Sequence, residues 1–193
     1  MNRMQFAIAG IVALGAAAIT PGSAGAQAAV IASPFHAGQW GIEAYAAGQA
    51  GGLIRFFTPR TALAFTLSGN HINTAADGSG PGSGSSKGTQ LDATLGLRRH
   101  SMLAPRVAAI VGAGLVGGNV QQKQVYSGIP GASTYHSSYL GAYAEAGGQY
   151  MIADHFAVGV AYRLTGRHVK NTTNQKGSEF GAAVLPIRAT LYF

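Results

Sequence analysis

The segment 108–117 contains three glycines in the spacing Gly-x-Gly-x-x-Gly, which in many enzymes binds the pyrophosphate of a dinucleotide. That chemistry needs a helix after the glycines and an acidic residue about 20 positions further on for the ribose. The residues that follow, 120–130, are a polar stretch without a helical pattern, and no acidic residue lies between Asp92 and Glu145. We therefore interpret these glycines as the small-residue face of a β-strand, where they leave room for larger neighbours such as Tyr143.

Histidine can bind a metal ion or act as an acid or base, but the spacing of the histidines in this sequence does not predict a metal site. No two histidines stand two or four positions apart, and no carboxylate is placed to complete a ligand set. The chain has no cysteine, which excludes disulfides and Cys-ligated metals. We expect no metal ion, no cofactor and no catalytic residue. The six histidines are His36, His71, His100, His136, His155 and His168.

Charged side chains fall singly within segments that are otherwise apolar or small. Carboxylates and guanidiniums form short, bidentate ion pairs where a fold brings them together. A bare charge that faces lipid at mid-depth costs about 2–4 kcal/mol, so such residues need an interior to face. The seven candidates for an internal network are Glu43, Arg55, Asp92, Arg98, Glu145, Arg163 and Arg188.

The elements that must position these charges are β-strands, because hydrophobicity alternates with a period of two residues. In the segment 156–165 the even positions are Phe, Val, Val, Tyr and Leu, whereas the odd positions are Ala, Gly, Ala, Arg and Thr. The same alternation recurs along the chain. It predicts eight strands, at about 39–48, 51–58, 61–72, 89–101, 105–119, 137–152, 155–168 and 178–193.

The connections between the predicted strands alternate between tight turns and long polar segments, which is typical of transmembrane barrels. The tight turns lie at 58–60, 101–104 and 153–154, and the long segments at 73–88, 121–136 and 169–177. Aromatic residues cluster at the strand ends beside the tight turns, as in the girdle at a bilayer interface. These residues are Trp40, Phe56, Phe57, Tyr150, Phe156 and Phe193.

In such a barrel the large apolar side chains face lipid and the charged ones face the lumen. This arrangement predicts Arg55 inside, opposite outward-facing Ile54 and Phe56, and it predicts Leu185 on the lipid face together with Phe193. An eight-stranded barrel is just wide enough for side chains to fill it. The network is therefore interpreted as a plug in the lumen.

Composition agrees with this class of protein. Charged residues are only 10% of the 193 and glycines number 29, which disfavours both disorder and a helical bundle. Residues 1–28 have the basic start, apolar run and small residues of a secretory signal peptide. We expect a periplasmic segment at 29–38 and the barrel at 39–193. Export makes nucleic acids poor candidate partners.

The ending of the chain, residues 185–193, alternates apolar side chains and stops on an aromatic residue. It resembles the C-terminal signature of outer-membrane β-barrels, and the whole chain resembles the small OmpA/OmpX-like family. The resemblance implies a monomeric, all-β, eight-stranded antiparallel up-and-down barrel in the outer membrane. It also implies an assembly machinery that recognises Leu191, Tyr192 and Phe193. Pro186 removes a ladder hydrogen bond from the last strand, so we expect disturbed pairing there.

A structural or surface-interaction role follows, with a basic outer rim that can contact lipopolysaccharide phosphates. A narrow pore, a soluble periplasmic barrel of the lipocalin type and a lipid-modifying enzyme remain as alternatives. The barrels that deacylate lipid A are also eight-stranded and use a His–Ser pair near the outer rim of their late strands. His168 is suitably placed, but Val169 stands where that family has its serine, which leaves Thr172 and Ser178 as hydroxyls. The basic rim residues are Lys87, Lys123, Arg167, His168, Lys170 and Lys176.

Overall fold

A computed structural model describes residues 32–46, 50–75, 84–126, 132–171 and 176–193; the predicted signal peptide lies outside them. Nine β-strands make up nearly all of these residues. The described ranges contain no helix that is long and apolar enough to cross a membrane. The strands are β1 (Trp40–Tyr45), β2 (Ala50–Thr58), β3 (Thr61–Ala75), β4 (Gly84–Ala104), β5 (Val107–Tyr126), β6 (Ala132–Ala153), β7 (Phe156–Asn171), β8 (Lys176–Val184) and β9 (Arg188–Tyr192).

The strands close into an antiparallel ring. Each strand from β1 to β6 pairs with the next one, and β9 joins β7 to β1. At this seam Gly41 faces Tyr192, and the backbones of Trp40 and Phe193 exchange two hydrogen bonds of 3.0 Å. Turns at 59–60, 105–106 and 154–155 lie at one end of the ring, which we call the tight-turn end. The predicted fold class, an antiparallel all-β barrel, is confirmed.

The predicted last strand is divided at Pro186 into β8 and β9. Three steps along β7, from Tyr162 to Gly159, face four steps along the last strand, from Val184 to Arg188. The extra residue is a β-bulge, and it lies where proline has no N–H to donate to the ladder. The disturbed pairing expected at Pro186 is confirmed.

Because side chains alternate along a strand, the bulge reverses which positions face outward. Outward residues are odd-numbered in β9 and even-numbered in β8. Leu185 is half-buried, and its amide donates to the carbonyl of inward-facing Ala161 at 2.7 Å. The prediction that Leu185 shares the lipid face with Phe193 is therefore wrong.

The outer surface of the ring is an apolar band, and the alternate positions are small or polar and largely buried. A bilayer stabilises this arrangement, because the apolar side chains that point outward contact lipid. The exposed apolar residues of the band include Ile42, Leu53, Leu67, Leu95, Leu115, Leu140, Val160, Leu164 and Leu191. At the tight-turn end the outward aromatics are Trp40, Phe57, Tyr150 and Phe193.

Strand β2 faces the opposite way from the prediction. Ile54 and Phe56 are 1% and 0% exposed and point inward, so Phe56 is not part of the outer girdle. Arg55 lies on the outer surface, with its guanidinium carbon 5.0 Å from the centroid of the Trp40 ring. Large apolar residues flank Arg55 on both sides, so the alternation alone is ambiguous. Pairing decides it, because Arg55 is the direct partner of outward-facing Trp40 and paired residues share a face.

Three strands are much longer than predicted. Strands β4, β5 and β6 have 21, 20 and 22 residues, about twice the 9–11 that a tilted strand needs to cross a bilayer. Large parts of the segments 73–88 and 121–136, predicted as loops, are paired strand. Polarity indicates that these residues meet water, but it does not by itself break a ladder of Thr, Val, Tyr and Gln.

Candidate functional site in the barrel lumen

Arg98 is the centre of an ion-pair network inside the barrel. Its Nε donates to Glu145 Oε1 at 2.5 Å, and its Nη1 donates to both oxygens of Glu43 at 2.7 Å. Its Nη2 reaches the hydroxyl of Tyr45 at 3.4 Å. Three strands contribute these partners: β4 carries Arg98, β1 carries Glu43 and Tyr45, and β6 carries Glu145. The network thus ties together strands that are not neighbours in the sheet.

Two further guanidiniums complete the network. Arg163 on β7 donates from Nη2 to Glu145 Oε2 at 2.7 Å and lies 4.2 Å above the ring of Tyr143. Arg188 on β9 places its Nε 3.3 Å from Glu43 Oε1. The side chains of Glu43, Glu145 and Arg98 are at most 1% exposed. Three cations therefore share two carboxylates, and each of these five charges has a partner of opposite sign.

Glycines of the segment 108–117 make room for this network. In the register, Gly112 lies between Arg98 on β4 and Glu145 on β6. A Cβ at Gly112 would meet Arg98 Cγ at 3.1 Å and Glu145 Cγ at 3.2 Å. Gly96 on β4 is similarly covered by the hydroxyl of Tyr143. Gly112 and Gly114 of the pattern that imitates a nucleotide-binding motif therefore serve packing inside the barrel, whereas Gly117 faces outward, opposite exposed Leu140, so the interpretation is wrong for this third glycine.

Two of the seven predicted network residues lie elsewhere. Arg55 is on the outer surface, as described above. Asp92 is inside, but it accepts hydrogen bonds from the Tyr139 hydroxyl, from Gln90 Nε2 at 2.8 Å and from Ser68 Oγ at 3.5 Å. It forms no ion pair with any arginine within the described ranges. The structure brings together the other five: Glu43, Arg98, Glu145, Arg163 and Arg188.

An aromatic layer at the tight-turn end was not predicted from the sequence. Phe35, which precedes β1, is 3% exposed and stacks on Phe56 with ring centroids 4.6 Å apart. Its ring also meets the edges of Tyr192 at 5.2 Å and His100 at 5.1 Å. The inward facing of Phe56 is the signal that could have revealed this layer. Residue 35 lies in the predicted periplasmic segment 29–38, and its side chain fills the end of the barrel.

We call the part of the lumen that lies beyond the ion-pair network, away from the tight-turn end, the upper lumen. It has an apolar patch beside a cation. Val116, Tyr139 and Tyr143 are buried together, and Val120 and Val169 pack against them. Arg167 lies 4.7 Å from the centroid of the Tyr139 ring. Arg167 also pairs with Glu179 at 2.8 Å, and their side chains are 38% and 53% exposed. The ion pair of this upper region is more exposed than those of the network around Arg98.

His168 lies on the outward face of β7, and the register pairs it with Ser178 on β8. This proximity could not be read from a spacing of ten residues. The Nδ1 atom of His168 is buried without a hydrogen-bond partner among the described residues, and the neighbouring carboxylate, Glu179, is bound to Arg167. A hydrolytic Ser–His pair needs a group that orients the histidine. No group of three or more potential metal ligands occurs within the described ranges.

The predicted assembly residues close the barrel. Leu191 and Phe193 face outward and are 52% and 62% exposed, whereas Tyr192 is 2% exposed. The Tyr192 hydroxyl donates to Gln149 Oε1 at 3.2 Å inside the lumen. These three residues therefore contribute to both faces of the β9 seam.

Comparison with solved structures agrees with the fold. A major outer membrane protein of Thermus thermophilus matches with a TM-score of 0.54 and 12% identity, over 82% of this chain and 100% of that one. Acinetobacter baumannii CarO2 and CarO match with TM-scores of 0.41, at 10% and 12% identity, over 80% and 81% of this chain and 97% and 96% of theirs. No protein-family model and no curated protein matches the sequence. The molecule has the fold of a small outer-membrane β-barrel, as the Thermus thermophilus protein does.

Proposed function

We propose that this protein is an outer-membrane barrel with a sealed lumen, and that it has a structural and surface-interaction role. The observation that carries the seal is the network around Arg98, which spans the lumen from β1 to β6. Below it, the ring of Phe35 covers Phe56 and His100. A layer of ion pairs and a layer of aromatic rings thus stand in series across the path of an ion. This arrangement favours a plug over a narrow pore.

Conductance in a planar lipid bilayer tests the seal. We expect no conductance steps from the purified wild-type barrel. The double variant Phe35→Ala, Arg98→Ala removes one member of each layer and should produce open events. The matched control is the double variant Phe57→Ala, Arg55→Ala, which removes the same residue types from the outer surface and should stay silent. Regular steps from the wild-type protein would overturn the seal and favour the pore.

The surface-interaction role rests on the sheet that extends beyond the apolar band. Lys87 on β4 and Lys123 on β5 are both exposed and directly opposite each other. Like charges in this position destabilise a sheet unless an anion lies between them. The phosphates of lipopolysaccharide supply such anions at the outer surface. We place the tight-turn end in the periplasm, so that this sheet is extracellular.

Binding to lipopolysaccharide tests this part of the proposal. The double variant Lys87→Gln, Lys123→Gln should bind vesicles with phosphorylated lipid A more weakly than the wild type and with a shallower salt dependence. A matched control, Arg60→Gln with Arg106→Gln, removes two exposed cations from the tight-turn end and should bind normally. Equal binding by both double variants would contradict a specific contact at the lysine pair.

The assembly machinery is the partner we propose for biogenesis. Strand β9 must pair with β1 to close the barrel, because open backbone edges in hydrocarbon cost several kcal/mol per group. Deleting Phe193 should sharply lower the amount of protein in the outer membrane while changing refolding in detergent far less. Normal membrane levels of the deletion variant would contradict recognition of the terminal residues.

A further inference from the structure

Among the strands that the structure describes, β8 has a partner on one side only. It pairs with β7 from Lys170–Lys176 to Tyr162–Val184, and no other described strand pairs with it. Strand β1, which closes the seam with β9, ends at Tyr45 opposite Arg188. The Ala46 amide donates to the Ile187 carbonyl at 2.8 Å, and the described wall on the β1 side stops there, below Val184, the residue at which β8 ends. The nine residues of β8 present their second edge to none of the strands that the structure describes.

The other border of this gap is β3. The last pair between β2 and β3 is Ala50–Ser68, and from Gly69 onward β3 pairs with β4 alone among the described strands. The described parts of β1 and β2 thus form the lower border of a gap between β8 and the part of β3 that follows Ser68. We call this gap the lateral opening.

The lateral opening lies at membrane depth. Phe180, Ala182 and Val184 on β8 are exposed and stand opposite Gly166, Leu164 and Tyr162 on β7. Leu164 and Tyr162 are exposed apolar residues of the lipid-facing band, so the outward face of β8 continues that band.

The inner face of β8 borders free space as well. All residues from 177 to 184 are exposed, although half of them point inward. A Cβ built on inward-facing Gly177 or Gly181 would meet no described atom within 4 Å, whereas one at Gly114 would strike the backbone of Leu95. Unpaired backbone at membrane depth is tolerated where it lines a water-filled cavity. The unpaired edge of β8 and the open space at its inner face therefore lie together, between the upper lumen and the lipid-facing band.

The lumen behind the opening combines apolar surface with an available cation. The apolar patch consists of Val116, Val120, Tyr139, Tyr143 and Val169. Arg167 stands beside Tyr139, and its pair with Glu179 is half-exposed and thus weak. Arg167 holds Glu179 through one oxygen only, since its Nε and Nη2 both lie 2.8 Å from Glu179 Oε2, and a carboxylate that enters through the opening can replace it with a bidentate pair. An acyl chain attached to that carboxylate can cover the apolar patch.

We propose that the lateral opening admits a single-chain anionic amphiphile, a fatty acid from the outer leaflet, and that its carboxylate binds Arg167 while its chain packs on the apolar patch. The site lies above the network around Arg98, so it requires no passage through the lumen. The proposal goes beyond the structural role and does not depend on the lysine pair of the extracellular sheet.

Single-cysteine labelling tests the opening itself, because the chain has no cysteine of its own. In intact membranes, Gly181→Cys should react with a membrane-impermeant thiol reagent added from outside. Thr94→Cys is the matched control, since Thr94 faces the same lumen from a fully paired wall and is 7% exposed. It should not react. An unreactive cysteine at position 181 would show that the wall is closed and would overturn the proposal.

Binding of a fluorescent polyene fatty acid to the refolded barrel in lipid nanodiscs tests the site. We expect saturable binding that Arg167→Gln weakens about tenfold, equivalent to about 1.4 kcal/mol. Glu179→Gln should tighten it, because Arg167 then loses the carboxylate that competes with the ligand. Arg55→Gln, which removes the same charge from the outer surface, should bind like the wild type.

The two opposite shifts separate a binding site from a structural ion pair, since breaking a structural pair from either side would act in one direction. The methyl ester of the same fatty acid should bind at least tenfold more weakly at the same nanodisc concentration. Equal binding of acid and ester, or equal affinities for Arg167→Gln and Arg55→Gln, would overturn the proposal. Conductance of these samples, measured in parallel, reports separately on the sealed lumen.

Discussion

The two halves of the barrel are built differently along the same last strand. In the tight-turn half, β9 has partners on both sides, and its inward residues Arg188 and Tyr192 are 3% and 2% exposed. In the other half, β8 has one partner among the described strands, and every side chain from 177 to 184 is exposed. Pro186 and its bulge mark the boundary. The charges that need burial lie where the wall is complete on all sides.

This difference predicts that the ion pairs of Glu145 stabilise the barrel more than the ion pair of Glu179 does. Glu145 is held by Arg98 and Arg163 in a closed ring of strands, and its side chain is 0% exposed. Glu179 meets Arg167 beside the lateral opening, where water and other anions compete. Charge pairing in a barrel of this size is therefore worth most where the backbone ladder is complete.

Removing the carboxylate of Glu145, which binds both Arg98 and Arg163, gives the largest expected effect on stability. Glu145→Ala leaves Arg98 and Arg163 buried without this partner, and we expect a loss of about 3–5 kcal/mol in the free energy of unfolding. Glu179→Ala, its counterpart in the open half, should cost at most about 1 kcal/mol. Urea titration of the refolded barrels in detergent measures both. Equal midpoints for the two variants would mean that the lower lumen is as wet as the upper one.

Adding a methyl group at a glycine in the closed half or in the open half of the barrel gives an intermediate effect on the free energy of unfolding. Gly112→Ala puts a Cβ 2.9 Å from the Leu97 carbonyl and against Arg98, so we expect a loss of about 1–3 kcal/mol. Gly181→Ala meets open space and should stabilise the barrel slightly, by about 0.4–1 kcal/mol, through the unfolded chain. Urea midpoints again report the result. A destabilised Gly181→Ala variant would show that something covers the inner face of β8.

The smallest effect is expected on the outer surface. Arg55→Gln removes the contact with the Trp40 ring and should lower the free energy of unfolding by about 0.5–1 kcal/mol. Trp40 is the only tryptophan in the sequence, so its fluorescence reports both the local change and the unfolding transition. A loss as large as that of Glu145→Ala would indicate that Arg55 is needed inside the barrel after all.

Much of the fold could be predicted because a barrel repeats one simple pattern. Alternation identifies the faces of β4, β6 and β7 from the contrast between large apolar residues and glycine, alanine or charge. It therefore predicted that Arg98, Glu145 and Arg163 share one interior. It failed in β2, where apolar residues occupy both faces and only the partner strand decides. These β2 residues are Leu53, Ile54, Phe56 and Phe57.

Other features depend on long-range geometry that one strand does not encode. Pro186 predicts disturbed pairing. That the bulge holds one extra residue, and so turns Leu185 inward, depends on the register with β7. The layer around Phe35 requires a segment outside the strands to fold back under the ring. Strands β4 to β6 extend beyond the apolar band because they pair with one another. Polar residues such as Lys87 and Lys123 are typical of loops, so the sequence alone did not reveal this pairing.

Hydrogen–deuterium exchange of the backbone amides, resolved along the last strand in lipid nanodiscs, tests the central contrast most directly. In β9 the amides should exchange slowly, because hydrogen bonds to β1 and β7 occupy both edges. In β8 the amides bonded to β7 should be protected, and those on the free edge should exchange at least tenfold faster than any in β9. Uniform protection from Lys176 to Tyr192 would contradict the account, because it would show that the wall is closed along its whole height.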